Sequence, residues 1–150
     1  MKKYVQDKMF PQFPKAISYL IDEEAGTVEC RIEKNFAMNN LMLSDKHFTY
    51  KEIDFVIMNV YTKLIDKNVG KYIVGVAKCN KELDTFDEKK GMQIAFNKAM
   101  LTTAKLTVQY YNEAICSFQD SIASFQNEKE RKLRDIELYE GRLERVRKGE

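Results

Sequence analysis

Four side chains with a shared chemical logic flank one junction in the chain: Lys78, Phe86, Asn97 and Lys98. An aromatic ring can stack on a nucleobase and an amide can pair with an adenine edge. Ammonium groups beside the free N–H groups of a helix start can hold phosphate. The set describes a ligand-binding site for a nucleotide-like molecule. Phe86 also has a purely structural reading, as an apolar staple where the chain enters a helix.

No catalytic arrangement can be assembled beside it. His47 is the single histidine, so a Ser/His/Asp or Cys/His centre could form only around it, and no nucleophile stands in a recognisable elbow. Asp22, Glu23 and Glu24 crowd a turn, where carboxylates solvate the chain. Gly70, Gly75 and Gly91 are isolated and make no phosphate-cradling loop; Gly75, inside a strand, marks a bulge or a close backbone approach. Cys30, Cys79 and Cys116 are odd in number and widely spaced, which predicts buried free thiols in a reducing compartment and no metal site. The expectation is a protein that is not an enzyme and needs no cofactor.

Charge and hydropathy narrow the partners. Lysine and arginine number 25 against 23 aspartates and glutamates in 150 residues, a net charge of +2 that argues against a dedicated duplex nucleic-acid binder. Asp7, Lys8, Pro11 and Pro14 break up the start of the chain, so neither an export signal nor a membrane span is expected, and the chain reads as cytoplasmic.

The elements that must position the four residues follow from periodicity. Residues 1–15 carry two prolines and no period, and are expected to form an irregular arm. Ile17 to Ile21 and Val28 to Ile32, separated by an acidic turn ending in Gly26, predict a β-hairpin. Tyr61 to Ile65 and Tyr72 to Ala77 predict a second one, with a helix across Tyr50 to Met58 as the alternative for the segment before it. Acidic residues then gather where a helix should begin, with Thr85 or Asp87 as its cap.

From Gly91 to Gly141 there is neither glycine nor proline in between. An unbroken helix of that length would run roughly 75 Å, more than a small sheet can cover. Ile94, Leu101, Val108, Ile115 and Ile122 repeat every seven residues, and Ala104, Tyr111, Phe118 and Phe125 repeat at the complementary offset. The register resumes at Ile136, Tyr139, Leu143 and Val146 after Lys129 and Lys132 interrupt it. Such a seam predicts helix-on-helix packing and a homo-oligomer held by Leu101, Val108, Tyr111, Ile115, Phe118 and Ile122. The competing reading lays the first half of the seam on the sheet and leaves the rest as a charged tail. The expected fold is α+β: a small antiparallel sheet of two hairpins, then one or two long C-terminal helices. Residues 16–126 would form the core domain and 127–150 a charged helical extension.

The run Val74-Gly75-Val76-Ala77-Lys78-Cys79-Asn80, followed by Phe86-Asp87, Gly91, Ile94-Ala95 and Asn97-Lys98-Ala99, resembles small proteins of phages and prophages of Gram-positive bacteria. Among these, the Thoeris anti-defence sponge family is similar in plan, with a small antiparallel sheet followed by long helices through which it assembles. The resemblance implies a phage protein that binds a cyclic ADP-ribose isomer in the host cytoplasm without cleaving it. It implies that Phe86 and Asn97 contact the base. The alternative is a protein–protein inhibitor of a bacterial defence complex, similar to an anti-CRISPR, acting through the long helix.

Overall fold

The structure is a computed structural model describing residues 1–42, 69–82 and 85–149. Strands β1 (Lys2–Gln6), β2 (Ile17–Asp22), β3 (Thr27–Glu33) and β4 (Tyr72–Lys78) make an antiparallel sheet in that order. A short helix α1 (Lys34–Phe36) runs into a π-helical turn (Ala37–Met42), and the long helix α2 (Glu88–Lys148) follows β4. The architecture is α+β. No helix among the described residues is long and apolar enough to cross a membrane. Two compact units divide the chain, Met1–Asn112 and Glu113–Glu150, the second built from the later turns of α2.

The β2–β3 hairpin forms where its alternating pattern places it. Asp22 Oδ1 accepts the Ala25 N–H at 2.9 Å, and Gly26 closes the turn at a φ of 65°, a left-handed conformation that favours glycine. Ile17, Tyr19, Ile21, Val28, Cys30 and Ile32 then share one buried face. On the far side of β3, β4 adds Ile73, Gly75 and Ala77 to that face, with Cys30 paired to Gly75. The strand expected at Tyr61 to Ile65, the alternative helix at Tyr50 to Met58, and His47 all lie outside the described residues.

The N-terminal arm is more regular than its composition suggests. Lys2–Gln6 pairs antiparallel with β2, Val5 opposite Tyr19. Four of its five residues are exposed, so backbone hydrogen bonding to the edge of β2 holds it rather than a buried side-chain row, and no alternation marks it in the sequence. Beyond the strand the arm is irregular but anchored: the rings of Phe10 and Phe13 meet Phe36 edge-on at centroid distances of 5.0 and 5.3 Å.

Helix α2 lies on the buried face of the sheet through its smallest residues. Ala95 and Ala99 have no exposed surface and Thr103 retains 2%. A Cβ added to Gly75 would stand 2.1 Å from the Ala95 carbonyl oxygen and 2.4 Å from the Ala99 nitrogen, so helix backbone touches strand backbone there. Gly75 does not have a positive φ; it is required for space, not conformation.

The heptad seam faces elsewhere. At 100° per residue, Ile94, Leu101 and Val108 fall on the side of α2 opposite Ala95, Ala99 and Thr103, and they are 39%, 55% and 60% exposed. The reading that laid the first half of the seam on the sheet is therefore overturned: small residues take that position because only they permit the close approach. In the second unit Ile115, Ile122, Phe125, Ile136, Tyr139, Leu143 and Val146 are likewise exposed. The helix continues without a break through 127–132.

Two glycine substitutions should move stability in opposite directions. Gly75→Ala forces α2 away from β4, and overpacking of this kind costs about 1–3 kcal/mol, visible as a lowered Tm. Gly141, mid-helix with no atom within 4 Å of its missing Cβ, should gain up to about 1 kcal/mol on Gly141→Ala. Thermal denaturation of the two variants beside the unmutated protein checks both signs.

Candidate functional site: a cleft at the strand-to-helix junction

Where β4 hands the chain to α2, a cleft of about 310 Å³ opens. Lys78 at the end of β4, Phe86 before the helix and Lys90 and Ile94 in its first turns line it, with Gly26 and Gly91 in its wall. The local geometry follows from the sequence. Asp87 caps α2, its Oδ1 accepting the Lys90 N–H at 3.0 Å while its carbonyl oxygen accepts the Gly91 N–H at 2.9 Å. Gly91 lets the first turn settle on β3, since a Cβ there would come within 2.7 Å of Val28 Cγ2. Lys3 Nζ meets Glu88 Oε1 at 2.9 Å, a surface pair that contributes little energy but ties β1 to the helix start.

Phe86 is half-buried and packs against the hydrophobic core while lining the cleft. A staple would join it to the fourth residue of the helix, but that residue is Gly91, which has no side chain to offer. Lys78 and Lys90 give the cleft positive character, and the exposed carboxylate of Asp87 offsets part of it. An aromatic wall with two ammonium groups can take a flat ring carrying negative charge.

The structure brings together two of the four residues singled out for this chemistry. Lys78 and Phe86 line the cleft, whereas Asn97 is exposed farther along α2 and is not in its wall. Asn97 precedes Ala104 by one heptad, so it belongs to the seam. Lys98 turns to the sheet, its Nζ donating to the Val76 carbonyl oxygen at 2.8 Å. Lys90 is the residue that sequence reasoning missed. Counting the helix from its Asp87 cap, which puts Lys90 in the first turn, would have found it.

Among the described residues no three His, Cys, Asp or Glu side chains come together as metal ligands. Within the core, the Tyr19 hydroxyl donates to Asp7 Oδ2 at 2.9 Å, beside the fully buried Cys30. Burial pushes the Cys30 thiol up to about 12; the Asp7 charge adds to this and a hydrogen bond with Tyr19 opposes it. Burial also raises the Tyr19 phenol, with the Asp7 hydrogen bond next in size. Cys30 is thus a protonated thiol at neutral pH, not a nucleophile. Cys30 is buried, as expected, whereas Cys79 is half-buried and Cys116 is exposed along α2.

The raised thiol makes stability fall at high pH. Protonated in the folded state up to about 12 against an ordinary value of 9.0, Cys30 contributes stability that is complete below pH 9 and is lost as the pH climbs toward 12. A Cys30→Ala variant should show a flatter decline of Tm across that window. In the native protein at pH 8, iodoacetamide should modify Cys116 rapidly and leave Cys30 untouched, as mass spectrometry of the digested protein would show.

In comparisons with known proteins, no family model matches the chain, and neither a curated protein nor a solved structure is similar to it.

Proposed function

We propose that this chain is a non-catalytic binding protein that assembles through the outer face of α2 and sequesters a nucleotide-type signal in the junction cleft. The carrying observation is the cleft itself, where the ring of Phe86 and the ammonium groups of Lys78 and Lys90 face one space. At about 310 Å³ it stands at the small end of ligand pockets. Ile94 lines both this cleft and the exposed seam, so a second copy seated on the seam would stand at the rim and could enlarge the site. The resemblance to Thoeris sponges supplies the candidate ligand, a cyclic ADP-ribose isomer made in a bacterial cytoplasm, and the role of a phage anti-defence protein.

Calorimetry with cyclic ADP-ribose isomers and cyclic oligonucleotides tests the reading. Stacking on an aromatic side chain is worth about 1–3 kcal/mol per base, so Phe86→Ala should weaken binding roughly tenfold to a hundredfold. Asn97→Ala separates two arrangements: a cleft confined to one protomer is indifferent to it, and one completed across the seam loses affinity. Ligand released by heating should be chemically intact when weighed by mass spectrometry.

The exposed apolar rows of the second unit favour a second reading, an inhibitor that lays α2 against a protein of a bacterial defence complex. Failure to bind any of these nucleotides, together with a stoichiometric host protein in a pull-down, would replace the first reading with this one. Self-association has its own check. Light scattering at micromolar concentration should find an oligomer, and charges buried by Val108→Asp with Ile115→Asp should break the contact those residues make, at a cost of several kcal/mol.

A further inference from the structure

The later turns of α2 carry a charge pattern that distinguishes between the two ways a second copy can lie against them. Leu133, Ile136, Tyr139, Leu143 and Val146 are 50–75% exposed, and two lysines, Lys129 and Lys132, occupy core positions of the same seam. A parallel, in-register pair would set Lys129 against Lys129 and Lys132 against Lys132. On its rims it would place Asp135 beside Glu140 and Arg142 beside Arg147, like charges at both. Each of these contacts opposes association.

Turning one helix end for end removes them. With the pair centred between Glu137 and Leu138, Ile136 packs beside Tyr139, Leu143 beside Lys132 and Val146 beside Lys129. Each lysine then meets an apolar neighbour over which its stem can lie while the ammonium reaches water. Asp135 faces Arg142 of the second copy, twice by symmetry. Neither group is locked in a strong contact within its own helix: Lys132 Nζ stands 3.5 Å from Asp135 Oδ2 in an exposed pair, and Arg142 rests over the Tyr139 ring at 5.6 Å.

We infer that residues 127–148 of α2 pair antiparallel with the same segment of a second copy, matched by Asp135 and Arg142. This is a second contact, separate from the one proposed above through Leu101 to Ile122: a pair centred between Glu137 and Leu138 leaves those earlier seam residues without a partner in the same pair.

The test is a charge swap read by sedimentation equilibrium at low salt on the full chain. Asp135→Arg sets two arginines opposite each other at both symmetry-related contacts, and should raise the dimer Kd roughly fivefold to tenfold. Adding Arg142→Asp should return it to the starting value. In a parallel pair Asp135→Arg would instead meet Glu140 and tighten the dimer, so tightening overturns the proposal. Spin labels provide a second measurement, in a background of Cys79→Ser and Cys116→Ser. Asn127→Cys labels on two antiparallel copies should lie more than about 32 Å apart, 21 residues of helical rise, whereas a parallel pair brings them to roughly 20 Å. A long Asn127 distance supports the inference and a short one overturns it. A monomer in the unmutated protein overturns both this and the self-association, while leaving the ligand titration to decide the cleft separately.

Discussion

The contact between Gly75 of β4 and Ala95 and Ala99 of α2 sets the rest of the molecule. Three positions without bulk let helix backbone rest on strand backbone, at a separation that would leave a Cβ on Gly75 within 2.1 Å of a carbonyl oxygen. Close packing of this kind makes α2 present one chosen side to the sheet. Once that side is fixed, the rotation of every other residue on the helix is fixed with it. Ile94 and Leu101 must face outward, Lys98 must fall over β4, and the first turn must meet Phe86 at the cleft. A helix with apolar residues on two opposite sides has no single burial direction of its own, and the glycine and two alanines choose it.

Much of the fold was legible because local signals agreed with the tertiary outcome. The β2–β3 hairpin had alternation, an acidic turn and a glycine at the left-handed position; α2 had its aspartate cap and a heptad register broken only at Lys129 and Lys132. Strand β1 had none of these. Its residues Lys2-Lys3-Tyr4-Val5-Gln6 carry no alternation because the strand lies at an edge and buries little, so its pairing is backbone chemistry to which side chains are indifferent.

The site was half legible for a related reason. Lys78 and Phe86 were found by proximity to the junction, and proximity in sequence is reliable there because strand end and helix start are adjacent in space. Asn97 and Lys98 sit beyond the first turn, where rotation about the helix axis matters more than distance along it. Each residue turns the side chain by about 100°, so these two neighbours diverge, one into the seam and one onto β4. Distance from a junction says nothing about that angle; the heptad register does, and it already placed Asn97 one repeat before Ala104. The exposed Cys116 has the same explanation, since a thiol's preference for burial gives way to the face its helix assigns it.

Lys98 has a consequence of a different kind. Among the described residues β4 is the last strand of the sheet, and the outer strand of an open sheet is a template on which further strands can grow. The Lys98 ammonium occupies the Val76 carbonyl oxygen, at 2.8 Å. An incoming strand would have to strip that donor away and leave a positive charge beside its own backbone, a recognised defence against edge-to-edge aggregation. A lysine whose charge suggested a phosphate contact thus also covers a backbone acceptor of β4.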